Sequence, residues 1–284
     1  MKWSNDEGHR LVVDNGSWNF RAGLATLPKT YSCVNKVIQD VKTNKVKTIR
    51  NTDQFIDEVG SKFINMQIKG TVVDYVAYNA ILGDMANSLD LVNEKRFLKN
   101  YSLTMSQPIF EPNRAICNHL EFLFELVGFG AVKFCKKGEG VFNSTSNYSG
   151  IVIDLGHSST SIIPVFADKV IKNAYRRLDI GGKMLTKCLM DNISTTQFKI
   201  NKHFFTGTNI KEELCYVYNV KGSALKDRIE KKDLEAAFYL LPDYTIQKKG
   251  RAIDKTYAET RIKDVIKLDS ERVIIPEILF NPSM

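Results

Sequence analysis

Two stretches of this chain follow one grammar, and nothing else in the sequence restricts its fold as much. Leu11-Val12-Val13 is an apolar run ending in Asp14-Asn15-Gly16-Ser17, after which Phe20, Ala22 and Leu24 alternate with other residues. Ile151-Val152-Ile153 ends in Asp154-Leu155-Gly156-His157 and is followed by Ser161-Ile162-Ile163-Pro164-Val165. Each reads as a β-hairpin with a tight turn, because period-two apolar alternation marks a half-buried strand and Asp, Asn and Gly mark its end. A unit that occurs twice points to two related lobes rather than one simple domain.

Helical signals lie between and after the hairpins. Ile116, Leu120, Leu123, Phe124 and Val127 recur at three or four residues up to Gly128, which predicts one buried helix face. A second helix is predicted from near Gly182 through Met184, Leu185, Cys188, Leu189 and Ile193. Strands alternating with helices place the chain in the α/β class. The polar segments Val41 to Asp57 and Lys221 to Asp233 read as surface excursions.

Composition narrows the function classes. With 43% hydrophobic and 25% charged residues over 284 positions, the chain can bury one large core or two modest ones. The polar start MKWSNDEGHR and the lack of a long apolar run argue against secretion and membrane spanning. Five scattered cysteines, Cys33, Cys117, Cys135, Cys188 and Cys215, never form C-x-x-C, so neither a disulfide nor a zinc site is expected. The Asn-x-Ser/Thr triplets at Asn143 and Asn147 then read as loop composition. A formal charge of +8 favours contact with nucleic acid or acidic proteins without identifying either. Its basic pairs, Lys136/Lys137, Arg176/Arg177, Lys231/Lys232 and Lys248/Lys249, are too short for a phosphate track and read as solvated surface.

The paired turns carry the chemistry. A glycine turn after a strand presents backbone N–H groups to phosphate, and its Asp can hold a magnesium ion, usually through water. One such turn is weak evidence, since Asp-x-Gly ends strands in many folds. Two of them facing each other would make a phosphate clamp between lobes.

On these residues the sequence resembles the actin family. Val13-Asp14-Asn15-Gly16-Ser17 with Arg21-Ala22-Gly23 is similar to the family's first phosphate loop, and Ile153-Asp154-Leu155-Gly156 to its second. Arg177-Leu178-Asp179-Ile180-Gly181-Gly182 with Leu185-Thr186 is similar to the connecting segment, and Ile210-Lys211-Glu212-Glu213-Leu214-Cys215-Tyr216-Val217 to the helix that supplies nucleotide contacts. The resemblance implies an actin-like, two-lobed ATPase-type fold with ribonuclease H-like lobes. It divides the chain into a first lobe over 1–150 and a second over 151–284, each with an inserted small subdomain, the second near 195–265. It implies ATP or ADP with Mg²⁺ held by Asp14, Asn15, Gly16, Ser17, Arg21, Asp154, Gly156, Gly182, Lys211 and Glu212, with Asp14 and Asp154 on the metal side.

Within the family the text is most like the nuclear actin-related proteins of the sixth class, on Leu241-Pro242-Asp243-Tyr244, Lys248-Lys249-Gly250 and Ile275-Pro276-Glu277-Ile278-Leu279-Phe280-Asn281-Pro282-Ser283. That likeness implies a scaffold subunit of a remodelling complex that exchanges the Z-type histone variant. Its expected partners are a zinc-finger HIT-type protein and a Snf-type ATPase, with histones or the nucleosome reached indirectly and direct DNA contact left open. The expected compartment is the nucleus, with the cytoplasm as a second one. The resemblance also implies departures. His157 stands where the family has a second metal-side Asp, Ser161 where it has a water-orienting His, and Gly130-Ala131-Val132 where it has Gln-Ala-Val. No catalytic residue and no useful turnover are therefore expected. The family text continues past Asn281-Pro282-Ser283 into an adenosine-contacting turn, so the second lobe is expected to be incomplete. Two other readings share the phosphate loops: a nucleotide-binding ATPase or kinase of the actin, sugar kinase and heat-shock chaperone superfamily, or a truncated cytoskeletal actin-like protein.

Overall fold

A computed structural model describes residues 9–50, 61–91, 98–138, 140, 142, 148–219, 229, 234–243, 247, 249–260 and 264–282. Its architecture is mixed α/β, as the alternation of strand and helix signals requires. The chain forms two compact units, the described part of the first ending at Asp179 and that of the second beginning at Ile180.

The largest sheet of the first unit has the strands β1 Arg10–Asn15, β2 Asn19–Leu24, β3 Thr30–Asp40, β4 Val46–Ile49, β5 Ser61–Ile64, β8 Ser102–Gln107 and β9 Ala131–Lys136. They are ordered β4-β3-β2-β1-β8-β9, with β5 also pairing β3. The first hairpin is β1 and β2 in antiparallel register, Val13 opposite Ala22 and Asp14 opposite Arg21. On its other side β1 runs parallel to β8, which runs parallel to β9. Alternation sets the faces of β1: Leu11, Val13 and Asn15 are buried while Val12 and Asp14 face the other way.

Leu11, Val13, Phe20, Leu103 and Met105 pack against helix α1, Tyr75–Ser88. That helix starts where Asp74 caps the Ala77 N–H at 2.9 Å, and it buries Tyr78, Ile81, Leu82 and Met85 at helical spacing. Each large apolar side chain buried this way contributes about 1.5–3 kcal/mol. A short two-stranded turn, β6 Gln67–Ile68 and β7 Thr71–Val72, precedes α1. The predicted excursion from Val41 is in part an extension of the sheet. Strand β4 pairs with β3, and Ile49 is buried because that pairing turns it inward; residues 51–57 lie outside the described set.

The helix predicted around Leu123 forms, with a displaced face. Helix α2, Asn113–Glu121, passes into one π-helical segment at Phe122–Val127 and stops at Gly128, which adopts a left-handed conformation (φ 84°). His119 is buried in the α-helical part, and within the wider π turn Phe122 and Leu123 are buried while Phe124 is exposed.

The second hairpin is β10 Gly150–Leu155 with β11 Thr160–Phe166, to which β12 Lys169–Val170 and β13 Arg176–Leu178 add. Ile163 and Val165 of β11 share a small core with Ile109 and Phe142. That packing groups residues 151–179 with the first unit, whereas their strand grammar assigns them to the start of a second lobe.

The second unit packs helix α3, Gly182–Thr196, against α4, Phe204–Leu214. A side chain at Gly207 would stand 2.5 Å from Met190 Cγ, so glycine is what lets the two helices approach this closely. Leu185, Leu189 and Ile193 of α3 face Ile210 and Leu214, while the predicted Met184 is exposed. A three-stranded sheet is formed by Ala237–Leu240 (β14), Arg251–Ile253 (β15) and Val265–Leu268 (β16). Ordered β15-β14-β16, it supplies Tyr239, Ile266 and Leu268 to this core. The short helices α5, Lys255–Thr260, and α6, Glu271–Glu277, complete the unit. The excursion at Lys221 to Asp233 lies outside the described residues apart from Ile229.

One polar cluster ties α1 to the sheet. Asp84 accepts hydrogen bonds from Tyr31 Oη at 2.8 Å and Thr48 Oγ1 at 2.7 Å, and pairs with the Arg50 guanidinium. The Arg50 contact, ahead of those from Thr48 and Tyr31, holds the Asp84 carboxyl down from its ordinary 3.8 to about 2. A depressed carboxyl contributes stability above its unfolded value that is lost as pH falls toward the folded one. Asp84→Asn should therefore destabilise the chain by about 1–2 kcal/mol at neutral pH. In urea unfolding at a series of pH values, the gap to wild type should close between about pH 4 and about pH 2.

Candidate functional site

The two hairpin turns meet. Ser17 Oγ lies 2.9 Å from Ser158 Oγ, and the Trp18 and His157 rings are 4.7 Å apart between centroids. Lys36 Nζ stands 4.8 Å above the Trp18 ring. Both turns use glycine for the same steric reason. A Cβ on Gly16 would sit 2.7 Å from the Asn19 carbonyl oxygen, and one on Gly156 would sit 2.8 Å from that of Ser159. The Gly156 N–H donates to that Ser159 oxygen at 3.0 Å, which closes the second turn.

Buried polar groups fix the first turn. Asn15, at the end of β1, accepts on its side-chain oxygen from Asn35 Nδ2 at 2.8 Å and Gln67 Nε2 at 2.6 Å. The same Asn35 amide donates to the Gly16 carbonyl at 2.6 Å. The Asn15 N–H donates to Ser106 Oγ at 3.1 Å, and that hydroxyl donates to Asp14 Oδ1 at 3.0 Å. Asp14 is also 3.8 Å from the Arg21 guanidinium, an exposed and hence weak ion pair.

Together the turns line a cavity of about 580 Å³. Of the residues proposed from the sequence, Asp14, Gly16, Ser17, Arg21, Asp154 and Gly156 line it, and Asn15 stands behind the first turn. The volume falls within the usual range for small-molecule sites, and the glycine turns leave the approach that a phosphate chain needs. Asp14, Asp154 and the two glycine turns are the residues that could hold a phosphate chain here. Gly182, Lys211 and Glu212 belong to the second unit. There Lys211 Nζ donates to the Gly182 carbonyl at 3.3 Å, and burial pushes the Lys211 ammonium below its usual range.

With two glycine turns on one cavity, comparison with known proteins is decisive. Residues 5–208 match the family described as Actin. The chain belongs to the actin family. It is 25% identical to Actin-related protein 6 of Drosophila melanogaster over 96% of this chain and 72% of that relative. It is 27% identical to Actin-like protein ARP6 of Yarrowia lipolytica, over 78% of this chain and 54% of that one. Against Actin-like protein arp6 of Aspergillus fumigatus it is 33% identical over 47% of this chain and 34% of the relative. The sixth-class likeness read from the sequence is the one these relatives carry in their names.

As an actin-family site, this one corrects two expectations. Gly130 does not reach it. Strands β8 and β9 are parallel with Ser102 opposite Ala131, so Gly130 lies at the end of β9 away from Ser106 and Asp14, its N–H donating to the Tyr101 carbonyl. The part of β9 at the cavity is Cys135 and Lys136, with Lys137 directly after. The basic pairs are the second correction. Lys136 and Lys137 are half-buried and line the cavity, as does Arg177, so these three are not simple solvated surface. Ser161, opposite Asp154 in register, shares a 3.0 Å hydrogen bond with the Tyr175 hydroxyl.

Ser106, Asn35, Gln67 and Trp18 are not legible as site residues from the sequence. Their partners lie far along the chain, and a Ser-Gln-Pro at the end of β8 is the one available signal for Ser106. Asn35→Ala should strip two hydrogen bonds from the first turn and cost about 1–3 kcal/mol, measured by chemical denaturation. Asn35→Asp should cost at least as much, because a carboxylate cannot donate to Asn15 or Gly16.

Proposed function

We propose that this chain is a non-catalytic, nucleotide-holding actin-related subunit, a nuclear scaffold within a remodelling complex that exchanges the Z-type histone variant. The observation that carries the nucleotide part is the 2.9 Å contact between Ser17 and Ser158, which puts both Asp-x-Gly turns on one cavity. The absence of turnover follows from the surroundings of Asp154. Hydrolysis needs a group that orients water and accepts its proton. Ser161 engages Tyr175, and the His157 ring lies against Trp18. The scaffold and histone-exchange part is supported by the Actin-related protein 6 names of its relatives, by the sixth-class text and by the basic charge of +8. A zinc-finger HIT-type protein and a Snf-type ATPase are the partners this reading expects, with histones met through them.

Two measurements test the proposal. Purified chain with magnesium and ATP should bind nucleotide and release phosphate no faster than background. Turnover above background that Asp154→Ala abolishes would overturn the non-catalytic reading. Tagged protein recovered from nuclear extract should bring down a Snf-type ATPase in stoichiometric amount, and recovery with cytoskeletal filaments instead would overturn the scaffold reading.

A further inference from the structure

We propose that the cavity between the two turns holds polyphosphate through lysine and arginine charge and needs no divalent metal to do so. This rests on the nucleotide-holding reading above. Five cations line the cavity, Arg21, Lys69, Lys136, Lys137 and Arg177, against the two carboxylates Asp14 and Asp154. Lys69 and Arg177 both contact Asp179, at 2.8 and 3.0 Å, and the Arg177 guanidinium also donates to the Lys69 carbonyl at 3.2 Å. Asp179, exposed and not itself among the lining residues, therefore already balances part of the charge of Lys69 and Arg177.

Lys136 and Lys137 come at the end of β9 that serves the site. Cys135 is opposite Ser106, the residue bonded to Asp14, and Lys136 and Lys137 come directly after it. The Lys137 N–H donates to the Gln107 carbonyl at 3.0 Å, which anchors its backbone to the strand that carries Ser106. Gly138 then turns the chain away with φ +92°, where a side chain would stand 2.7 Å from Ile163. Lys137 is half-buried and has no ion-pair partner among the described residues. A half-buried ammonium on this cavity gains from a bound anion.

Magnesium would have to compete for this donor set with the cations around it. Mg²⁺ prefers six oxygens in near-octahedral array, drawn from one or two carboxylates, waters and substrate phosphates. Of the two lining carboxylates, Asp14 already accepts from Ser106 and pairs with Arg21. A divalent ion drawn to Asp14 would also enter a cavity whose lining carries more positive than negative charge, at a Coulomb cost. A polyphosphate meets the same lining as counter-charge, with the ammonium groups taking the neutralising role that a metal plays elsewhere.

Titration calorimetry of the whole chain with ATP and with inorganic tripolyphosphate, each in excess Mg²⁺ and in EDTA, tests this. The dissociation constant should change by less than about threefold between the two conditions. In EDTA, Lys137→Ala should weaken binding by about tenfold or more and Lys137→Arg should restore most of it. Thermal melting should show Lys137→Ala folded like wild type, so that a loss of binding reads the lost charge. Binding seen only with Mg²⁺ would overturn this inference and leave the nucleotide-holding reading in place. No binding in either condition would overturn both. Metal-free binding that Lys136→Ala and Lys137→Ala leave unchanged would remove the lysines from the account and overturn the inference as stated.

Discussion

A strand that ends inside a protein leaves its last polar groups to be satisfied by whatever lies nearby, and in this chain that problem is concentrated at Asn15. The residue is almost fully buried, so its amide oxygen must be hydrogen-bonded or its burial would be costly. Asn35 and Gln67 satisfy it, one from β3 and one from β6, and Asn35 reaches on to the Gly16 carbonyl. Three separate parts of the chain therefore converge on one turn. With Asn15 locked inward, strand alternation directs Asp14 to the opposite face, where Ser106 holds its carboxylate. Loss of that buried network would free the turn as well as weaken the core, because the same amide of Asn35 serves both.

The second hairpin repeats the backbone plan with different chemistry around it. Asp154 faces Ser161 across the strands as Asp14 faces Arg21. The glycine sits at the same place in both turns, and in each a carbonyl three residues on leaves no room for a larger side chain. The partner across the strands differs: a guanidinium in one hairpin, a hydroxyl engaged with a tyrosine in the other. A duplicated frame thus gives two glycine turns on one cavity without giving two equal charges. The imbalance, together with Lys136 and Lys137, is what makes the cavity electropositive rather than neutral.

Legibility in the sequence tracks the range of the interactions. Both hairpins and the helix from Gly182 are legible, because period-two and period-three-to-four patterns are local. The face of the helix leading to Gly128 is legible in part: Leu123 is buried as its spacing predicts, Ile116, Leu120 and Val127 are half-buried, and Phe124 turns outward in a π segment that no spacing in the sequence announces. The site is half legible. Asp14, Gly16, Asp154 and Gly156 carry a local signature, whereas Ser106, Asn35 and Gln67 act on residues dozens of positions away. Gly130 is misplaced by its letters, because a Gly-Ala-Val match is silent on register, and the parallel pairing of β8 with β9 decides which end of that strand meets the turns. Lys136 and Lys137 look solvated for a related reason: a pair of lysines says nothing about the cavity that strand order places beneath it.

The stack of Trp18 on His157 has a consequence for how occupancy can be observed. Trp18 is the sole indole among the described residues, and it stands where the two turns touch, with a lysine ammonium near its ring. Indole emission responds to neighbouring imidazole and ammonium groups and to water. A ligand that parts the turns by even a fraction of their present separation therefore changes the light this residue emits. The site carries its own optical probe, placed at the seam by the same hairpin geometry that aligns Asp14 with Arg21.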